Sequence, residues 1–236
     1  MDTHSFASQG FAIVANVIDA AFCARLSQVV AGTVGDGAGC RTGLAHAAVR
    51  ELATSPAVRA LVEPVLGSDA FAVRATLFDK TPIANWLVAW HQDLTIAVRE
   101  RREVAGFGPW SVKDGVPNVQ PPVAVLEGLL IVRIDLDGSD ATKGALRVLP
   151  GTHTRGVLTA KMRNESAWLQ AAVTCAVSPG GALLMRPLLL HSSSRAESPS
   201  HRRVVHLEFA GAELTAGLEW HERVGWGLGG TCAGPV

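Results

Sequence analysis

The sequence predicts a mainly β fold: a jelly-roll barrel with helices packed on one side. Two observations favour it, because helical patterns come first in the chain and short strand-like segments dominate afterwards. The chain has 236 residues, of which 48% are hydrophobic and 18% are charged, so it can bury one sizeable core. We expect a single domain, with helices over about 1–70, a barrel over about 71–210 and a C-terminal tail over 211–236.

Two helical patterns open the chain. A helix is predicted over 19–34, where Asp19 can cap the N-terminus and the apolar side chains that follow fall on one face. A second, shorter pattern over 57–66 ends at Gly67.

Short segments rich in β-forming residues follow the helices. They are 71–79, 86–90, 129–136, 145–149, 182–190 and 204–209. One or two helical turns are predicted within 165–173. A loop over 100–122 holds three glycines and four prolines, and connections longer than about 12–15 residues inside a compact domain are more often functional than accidental.

Composition argues against several classes of partner. Lys plus Arg and Asp plus Glu both number 21, so the formal charge is zero and no long-range field attracts nucleic acid or an anionic membrane. No apolar run reaches the roughly 20 residues of a membrane span. The four cysteines show no C-x-x-C spacing, which disfavours a zinc cage or a disulfide framework. We expect a cytoplasmic protein whose partner is a small molecule.

The central chemical signal is His91-Gln92-Asp93. On an extended segment, positions 91 and 93 point to the same face, so an imidazole and a carboxylate can bind one metal ion. His191, at the end of the apolar run LLMRPLLLH, is the best third ligand. Two histidines and one carboxylate leave three coordination positions open, which suits non-haem Fe(II) that binds a co-substrate and O₂ together. Either motif alone is weak, since a short His/Asp pair is more often a surface pair and a lone histidine is more often structural.

A candidate anion-binding residue follows at a fixed distance. Arg202 lies eleven residues after His191 and opens the segment RRVVHLEF. A guanidinium can hold a carboxylate through a two-pronged, charge-assisted pair, as a dicarboxylic co-substrate requires at its far end. Strand alternation turns only one of Arg202 and Arg203 inward, so Arg203 is the alternative.

These motifs in this order resemble the phytanoyl-CoA dioxygenase family. The resemblance runs from about Phe71 to Phe209 and rests on His91-Gln92-Asp93, on the segment KGALRVLPGTH over 143–153, and on His191 followed by Arg202. It implies a double-stranded β-helix (a cupin-like barrel), Fe(II), 2-oxoglutarate and O₂, with release of succinate and CO₂. It also implies iron ligation by His91, Asp93 and His191, and contact of Arg202 with the distal carboxylate of 2-oxoglutarate.

The resemblance extends to further residues. Ser193 matches a family position that hydrogen-bonds the distal carboxylate, while Gln92 and Arg133 match positions lining the co-substrate pocket. Related halogenases replace the carboxylate ligand with a small residue, so the presence of Asp93 favours hydroxylation. Nothing in the sequence indicates a CoA site.

The substrate pocket is less determined. Trp110, in the long loop, could offer a rigid apolar wall to a substrate, and Trp86 either packs in the core or walls the pocket. Two other functions stay open: a barrel that binds a small ligand or metal without oxygen chemistry, and a zinc hydrolase. The hydrolase leaves Arg202 unexplained and lacks an obvious general base.

Overall fold

The computed structural model describes residues 2–35, 37, 39–163, 170–197 and 200–226. In these ranges the α-helices are α1 Thr3–Gln9, α2 Ala20–Val34, α3 Ala47–Ala53, α4 Pro56–Leu66, α5 Val123–Glu127 and α6 Ala160–Arg163. The strands are β1 Phe11–Val14, β2 Gly39–Cys40, β3 Phe71–Lys80, β4 Val88–His91, β5 Ile96–Ala97, β6 Trp110–Lys113, β7 Val116–Val119, β8 Leu129–Asp135, β9 Leu146–Val148, β10 Val173–Thr174, β11 Ala182–Met185, β12 His191–Ser193, β13 Arg202–Ala210 and β14 Val224–Gly225.

Two antiparallel sheets enclose the interior of the domain. The larger has the order β1-β11-β8-β13-β3-β14, with β2 also paired to β3, and the smaller has the order β10-β9-β12-β4. In the described part of the chain the two sheets share no strand, so they face each other without closing into one continuous barrel. The predicted mainly β fold of the double-stranded β-helix type is confirmed.

Helices cover the outer face of the larger sheet. Strand alternation turns the apolar residues of the central strands toward α2, α3 and α4. This core includes Leu26, Val30, Leu52 and Val62 from the helices and Leu77, Val132, Ile134, Val205, Leu207 and Phe209 from the sheet. The helix predicted over 19–34 is confirmed. Its predicted cap is confirmed too, because the Asp19 side chain accepts a hydrogen bond from the Phe22 amide at 2.8 Å.

The inner face of the same strands is polar. Alternation places every second residue of β3, β8 and β13 toward the space between the sheets. These residues include Arg74, Thr76, Lys80, Arg133, Arg202, His206 and Glu208. The sheet therefore buries apolar groups under the helices and presents charged groups to the interior.

The long loop predicted over 100–122 contains a β-hairpin. Strands β6 and β7 pair with each other, and β5 joins them on the other side of β7. Asp114 and Gly115 at the turn both have positive φ, which is the backbone of a type I′ hairpin turn. The Asp-Gly pair was the available sequence signal for this turn.

The strand predicted over 182–190 is wrong as a single element. Within it, β11 ends at Met185 and the chain turns before β12 begins at His191, because Pro187 lies in a turn closed by a hydrogen bond from the Leu189 amide to the Arg186 carbonyl at 3.0 Å. A proline cannot donate to a sheet ladder, so it belongs at such a break.

Strand β1 lies within the N-terminal segment predicted as helical and pairs with β11. Most of the predicted helical turns over 165–173 and the end of the predicted tail, residues 227–236, lie outside the described residues. No helix in the described ranges is long and apolar enough to cross a membrane.

Candidate active site

A cavity of about 250 Å³ lies between the two sheets. Residues of β3, β4, β6, β8, β9, β12 and β13 line it, and it contains all three predicted metal ligands. A larger and more open depression of about 890 Å³ runs beside α2, but it contains none of the predicted metal ligands, and of the two candidate arginines it contains only the alternative, Arg203. We therefore take the inner cavity as the candidate site.

Three metal-ligating side chains converge in the cavity. His91 on β4 and His191 on β12 are direct cross-strand partners, and their ring centroids are 4.1 Å apart. The Nε2 atom of His91 is 3.7 Å from Oδ1 of Asp93, and Nε2 of His191 is 3.7 Å from Oδ2. One donor atom from each residue lies within 4.8 Å of the others, which is close enough to share one ion.

The backbone orients both imidazoles for metal binding. Nδ1 of His91 is 2.9 Å from the Ala89 carbonyl oxygen, and Nδ1 of His191 is 2.8 Å from the Leu189 carbonyl oxygen. A carbonyl can only accept, so Nδ1 carries the proton in each ring and Nε2 keeps its lone pair. Such hydrogen bonds from the distal ring nitrogen are the usual support of a metal-bound histidine.

The charges in the triad also suit a cation. Burial lowers the pKa of His191 to about 4, so this ring is neutral at pH 7. Burial by itself would raise the pKa of Asp93, but the neighbouring His191, His206, His91 and Arg74 outweigh it and lower the pKa to about 2. Oδ2 of this ionised carboxylate is buried and has no hydrogen-bond partner among the described residues. Two imidazole nitrogens and an unpartnered carboxylate oxygen fit Fe(II).

A second group of residues forms an anion pocket deeper in the cavity. Arg202 is 6% exposed, its Nη1 donates to the Gly144 carbonyl at 2.6 Å, and its Nε is buried with no hydrogen-bond partner in the described part of the chain. Ser193 also donates to the Gly144 carbonyl, at 2.9 Å. Burial, aided by Arg133, lowers the pKa of Arg202 to about 10, so the residue is still a cation at neutral pH. No carboxylate of the described residues lies within 4 Å of it.

Strand alternation turns the two neighbouring arginines to opposite faces of the sheet. Arg203 points to the opposite face, where its Nε donates to Asp137 at 2.9 Å. Arg202 is the residue that lines the cavity.

Lys80 is a site residue that the sequence reasoning missed. It is 1% exposed, and its Nζ donates to Ser193 Oγ at 2.8 Å and to the Ser194 carbonyl at 2.6 Å. Burial, together with the charges of Arg202 and Arg133, lowers its pKa to about 7. Alternation along RATLFDK, which turns Arg74, Thr76, Phe78 and Lys80 to one face, was the signal that could have found it.

A buried polar network forms the opposite wall. Arg74 donates to Glu208 through two nitrogens, each at 2.7 Å, and Nη1 reaches Asn118 at 3.1 Å. Nη1 of Arg133 donates to Nδ1 of His206 at 2.9 Å, and Nε2 of His206 lies 3.5 Å from Glu208. Arg133 lines the cavity, as predicted, but it does so as part of this polar network.

Two of the predicted pocket residues lie elsewhere. The Gln92 amide donates to the carbonyls of Gly156 and Leu188 and accepts from the Leu158 amide, so the prediction that Gln92 lines the co-substrate pocket is wrong. Alternation on the extended segment turns it away from its two metal-binding neighbours.

Trp110 does not line the cavity either. It packs on an apolar cluster that includes Ile96 and Val119. On the same strand, Lys113 faces the cavity instead. Trp86 does line the cavity, with its ring 5.4 Å from the Lys80 ammonium.

Fold and site together define a class: a non-haem iron oxygenase of the double-stranded β-helix type, with a two-histidine, one-carboxylate centre beside an anion pocket. A family model described as phytanoyl-CoA dioxygenase matches residues 6–204. The chain belongs to this family, and it is an enzyme that uses Fe(II), 2-oxoglutarate and O₂.

Several solved structures have a similar fold. The non-heme alpha ketoglutarate dependent epimerase SnoN from nogalamycin biosynthesis is 18% identical, with a TM-score of 0.65 over 88% of this chain and 78% of that one. Its complex with Fe³⁺, alpha ketoglutarate and nogalamycin RO gives 17% identity and a TM-score of 0.64 over 97% and 94%. EctD from S. alaskensis gives 18% identity and a TM-score of 0.67 over 88% and 75%. No curated protein matches the chain.

Proposed function

We propose that His91, Asp93 and His191 hold one Fe(II) ion, and that the enzyme hydroxylates a small organic substrate bound beside them. One oxygen atom of O₂ enters the substrate, the other enters succinate, and 2-oxoglutarate loses CO₂. The observation that carries the proposal is the convergence of three donor atoms in the same cavity as a buried guanidinium that has no carboxylate partner among the described residues.

The residues of the anion pocket hold the co-substrate. Arg202, Ser193 and Lys80 bind the distal carboxylate of 2-oxoglutarate, which leaves its keto-acid end directed to the metal. The bound iron and 2-oxoglutarate supply the activation of O₂. Holding both ends of the co-substrate converts a chance encounter into a fixed geometry, which is the main contribution a protein makes to such chemistry.

Other residues position the ligands and limit water. The carbonyls of Ala89 and Leu189 orient the two histidines. Phe78, Val88 and Leu146 supply apolar lining near the metal triad. A dry lining keeps reactive species from being quenched by solvent.

The test is release of succinate from 2-oxoglutarate by the purified protein with Fe(II), ascorbate and a panel of small organic acids, amino acids and acyl-CoAs. We expect turnover in the wild type and its loss in His91→Ala and Asp93→Ala. His4→Ala is the matched control, because this histidine lies at an exposed position outside the cavity. Full activity in either triad variant contradicts the assignment, and metal binding without any turnover favours a non-catalytic ligand-binding barrel.

A further inference from the structure

The wall of the cavity next to the metal triad carries a cation that the co-substrate does not account for. Lys113, on β6, is half-buried and lines the same cavity as the metal triad. Its Nζ donates to Thr95 Oγ1 at 2.8 Å. Thr95 is two residues beyond Asp93, so this bond places the ammonium beside the metal-binding segment.

Lys113 has no acidic partner among the described residues. Within the described part of the chain, no carboxylate oxygen lies within 4 Å of its Nζ. An ammonium has three donor hydrogens, and the single hydroxyl of Thr95 uses one of them. Burial, with a smaller contribution from the nearby Arg74 and Arg41, lowers the pKa of Lys113.

The charge balance of the whole cavity points the same way. Its lining carries the cations Arg41, Arg74, Lys80, Lys113, Arg133 and Arg202 against the carboxylates Asp93 and Glu208. The two negative charges of 2-oxoglutarate offset the two positive charges of Fe(II). The excess of lining cations therefore persists in the loaded enzyme, and a further anion would reduce it.

The cations near Lys113 differ in how far they are already engaged. Arg74 already donates four hydrogen bonds, to Glu208, Asn118 and the Thr95 carbonyl. Arg41 forms an exposed pair with Asp114 at 3.1 Å, which joins the turn of the hairpin to the segment after β2. Of these three cations, Lys113 is the one that has no carboxylate partner among the described residues.

We infer that Lys113 is the anchor for an anionic group on the primary substrate, so that the enzyme acts on a small acid carrying a carboxylate or a phosphate. The inference rests on the proposed function, because it takes the metal triad and the Arg202 pocket as occupied by Fe(II) and 2-oxoglutarate. A cavity of about 250 Å³ is below the range of about 300–1,000 Å³ usual for ligand pockets, so the part of the substrate inside it is small.

The test uses three probes of similar size: butyrate, propyl phosphate and the neutral butyramide. Each is titrated calorimetrically into anaerobic enzyme loaded with Fe(II) and saturating 2-oxoglutarate. We expect at least one anion to bind about tenfold or more tightly than butyramide, as a hydrogen bond to a charged group implies. Preference for butyrate indicates carboxylate substrates, and preference for propyl phosphate indicates phosphate esters.

Variants separate binding from structure. Lys113→Met should lose the preference for anions, Lys113→Arg should retain it, and Lys161→Met, at an exposed lysine on α6, should behave as the wild type. Equal affinity for the amide and the anions, no binding of either anion, or an unchanged preference in Lys113→Met overturns the inference. In that case Lys113 only anchors the hairpin through Thr95.

The visible charge-transfer band of the anaerobic Fe(II)–2-oxoglutarate complex distinguishes a failure of the proposed function from a failure of the inference about Lys113. The band should form equally in the wild type and in Lys113→Met. If the wild type shows no band, the proposed function fails. If the band forms and anions are not preferred, only the inference about the substrate fails.

Discussion

Replacement of Arg202 by methionine should weaken 2-oxoglutarate binding severely without weakening the apo fold. The guanidinium is buried, donates to the Gly144 carbonyl and leaves its Nε unpartnered. A buried cation without a counter-charge is costly until an anion arrives. The same side chain therefore opposes the stability of the empty protein and favours the bound state.

The magnitude follows from the cost of removing one member of a buried, hydrogen-bonded charge pair. That cost is about 2–5 kcal/mol, and about 1.4 kcal/mol corresponds to a factor of ten. The apparent KM for 2-oxoglutarate should therefore rise by roughly 30-fold to several thousand-fold. The free energy of unfolding of the apo protein should stay the same or increase, because methionine fills the space without a charge.

The assay is succinate release as a function of 2-oxoglutarate concentration, with urea unfolding of the apo protein in parallel. Arg203→Met is the matched control, since that residue pairs with Asp137 on the opposite face of the same strand. Iron affinity should be unchanged in both variants. A KM for Arg202→Met within a few-fold of the wild type, or a large increase in Arg203→Met, refutes the reasoning.

Three further predictions concern residues around this pocket. The ammonium of Lys80 is the form that binds a carboxylate, and the pKa of this residue is about 7. The KM for 2-oxoglutarate should therefore rise as the pH increases above 7. In kinetics measured from pH 6 to 9, Lys80→Met should flatten this dependence of KM on pH. Arg74→Met should lower the free energy of unfolding by about 3–5 kcal/mol, because it leaves Glu208 buried and unpaired. In urea titrations the double variant Arg74→Met/Glu208→Leu should recover most of this loss, and additive losses would contradict the prediction. Gln92→Leu should destabilise the fold by about 1–3 kcal/mol for each backbone group that it leaves unpaired. The KM for 2-oxoglutarate should stay unchanged, and a raised KM would restore Gln92 to the co-substrate pocket.

The sequence predicted the chemical groups of the site better than the way in which the fold brings them together. His91, Asp93 and His191 could be grouped because alternation places the first two on one face and a third ligand is required by the metal. Their actual meeting depends on the pairing of β4 with β12, which no local pattern specifies. The inward direction of Arg202 was open until the register of β13 against β3 fixed it.

Residues that act through distant partners were the ones missed. Lys80 reaches Ser193, 113 positions away in the chain, and its burial could not be read from its neighbours. Trp110 was expected at the cavity because it lies in a long loop, but that loop folds as a hairpin whose alternation turns Lys113 inward instead. Both errors come from tertiary contacts that override local expectation.

The central claim is that one ion is shared by His91, Asp93 and His191 next to the co-substrate. Anaerobic titration of the purified protein with Fe(II) and 2-oxoglutarate measures this directly, through the visible charge-transfer band of the chelated complex. We predict a band that saturates at one equivalent of Fe(II) and is lost in Asp93→Ala and His191→Ala, which still bear the Arg202 pocket. A wild-type protein that gives no band, or triad variants that give it undiminished, would contradict the account.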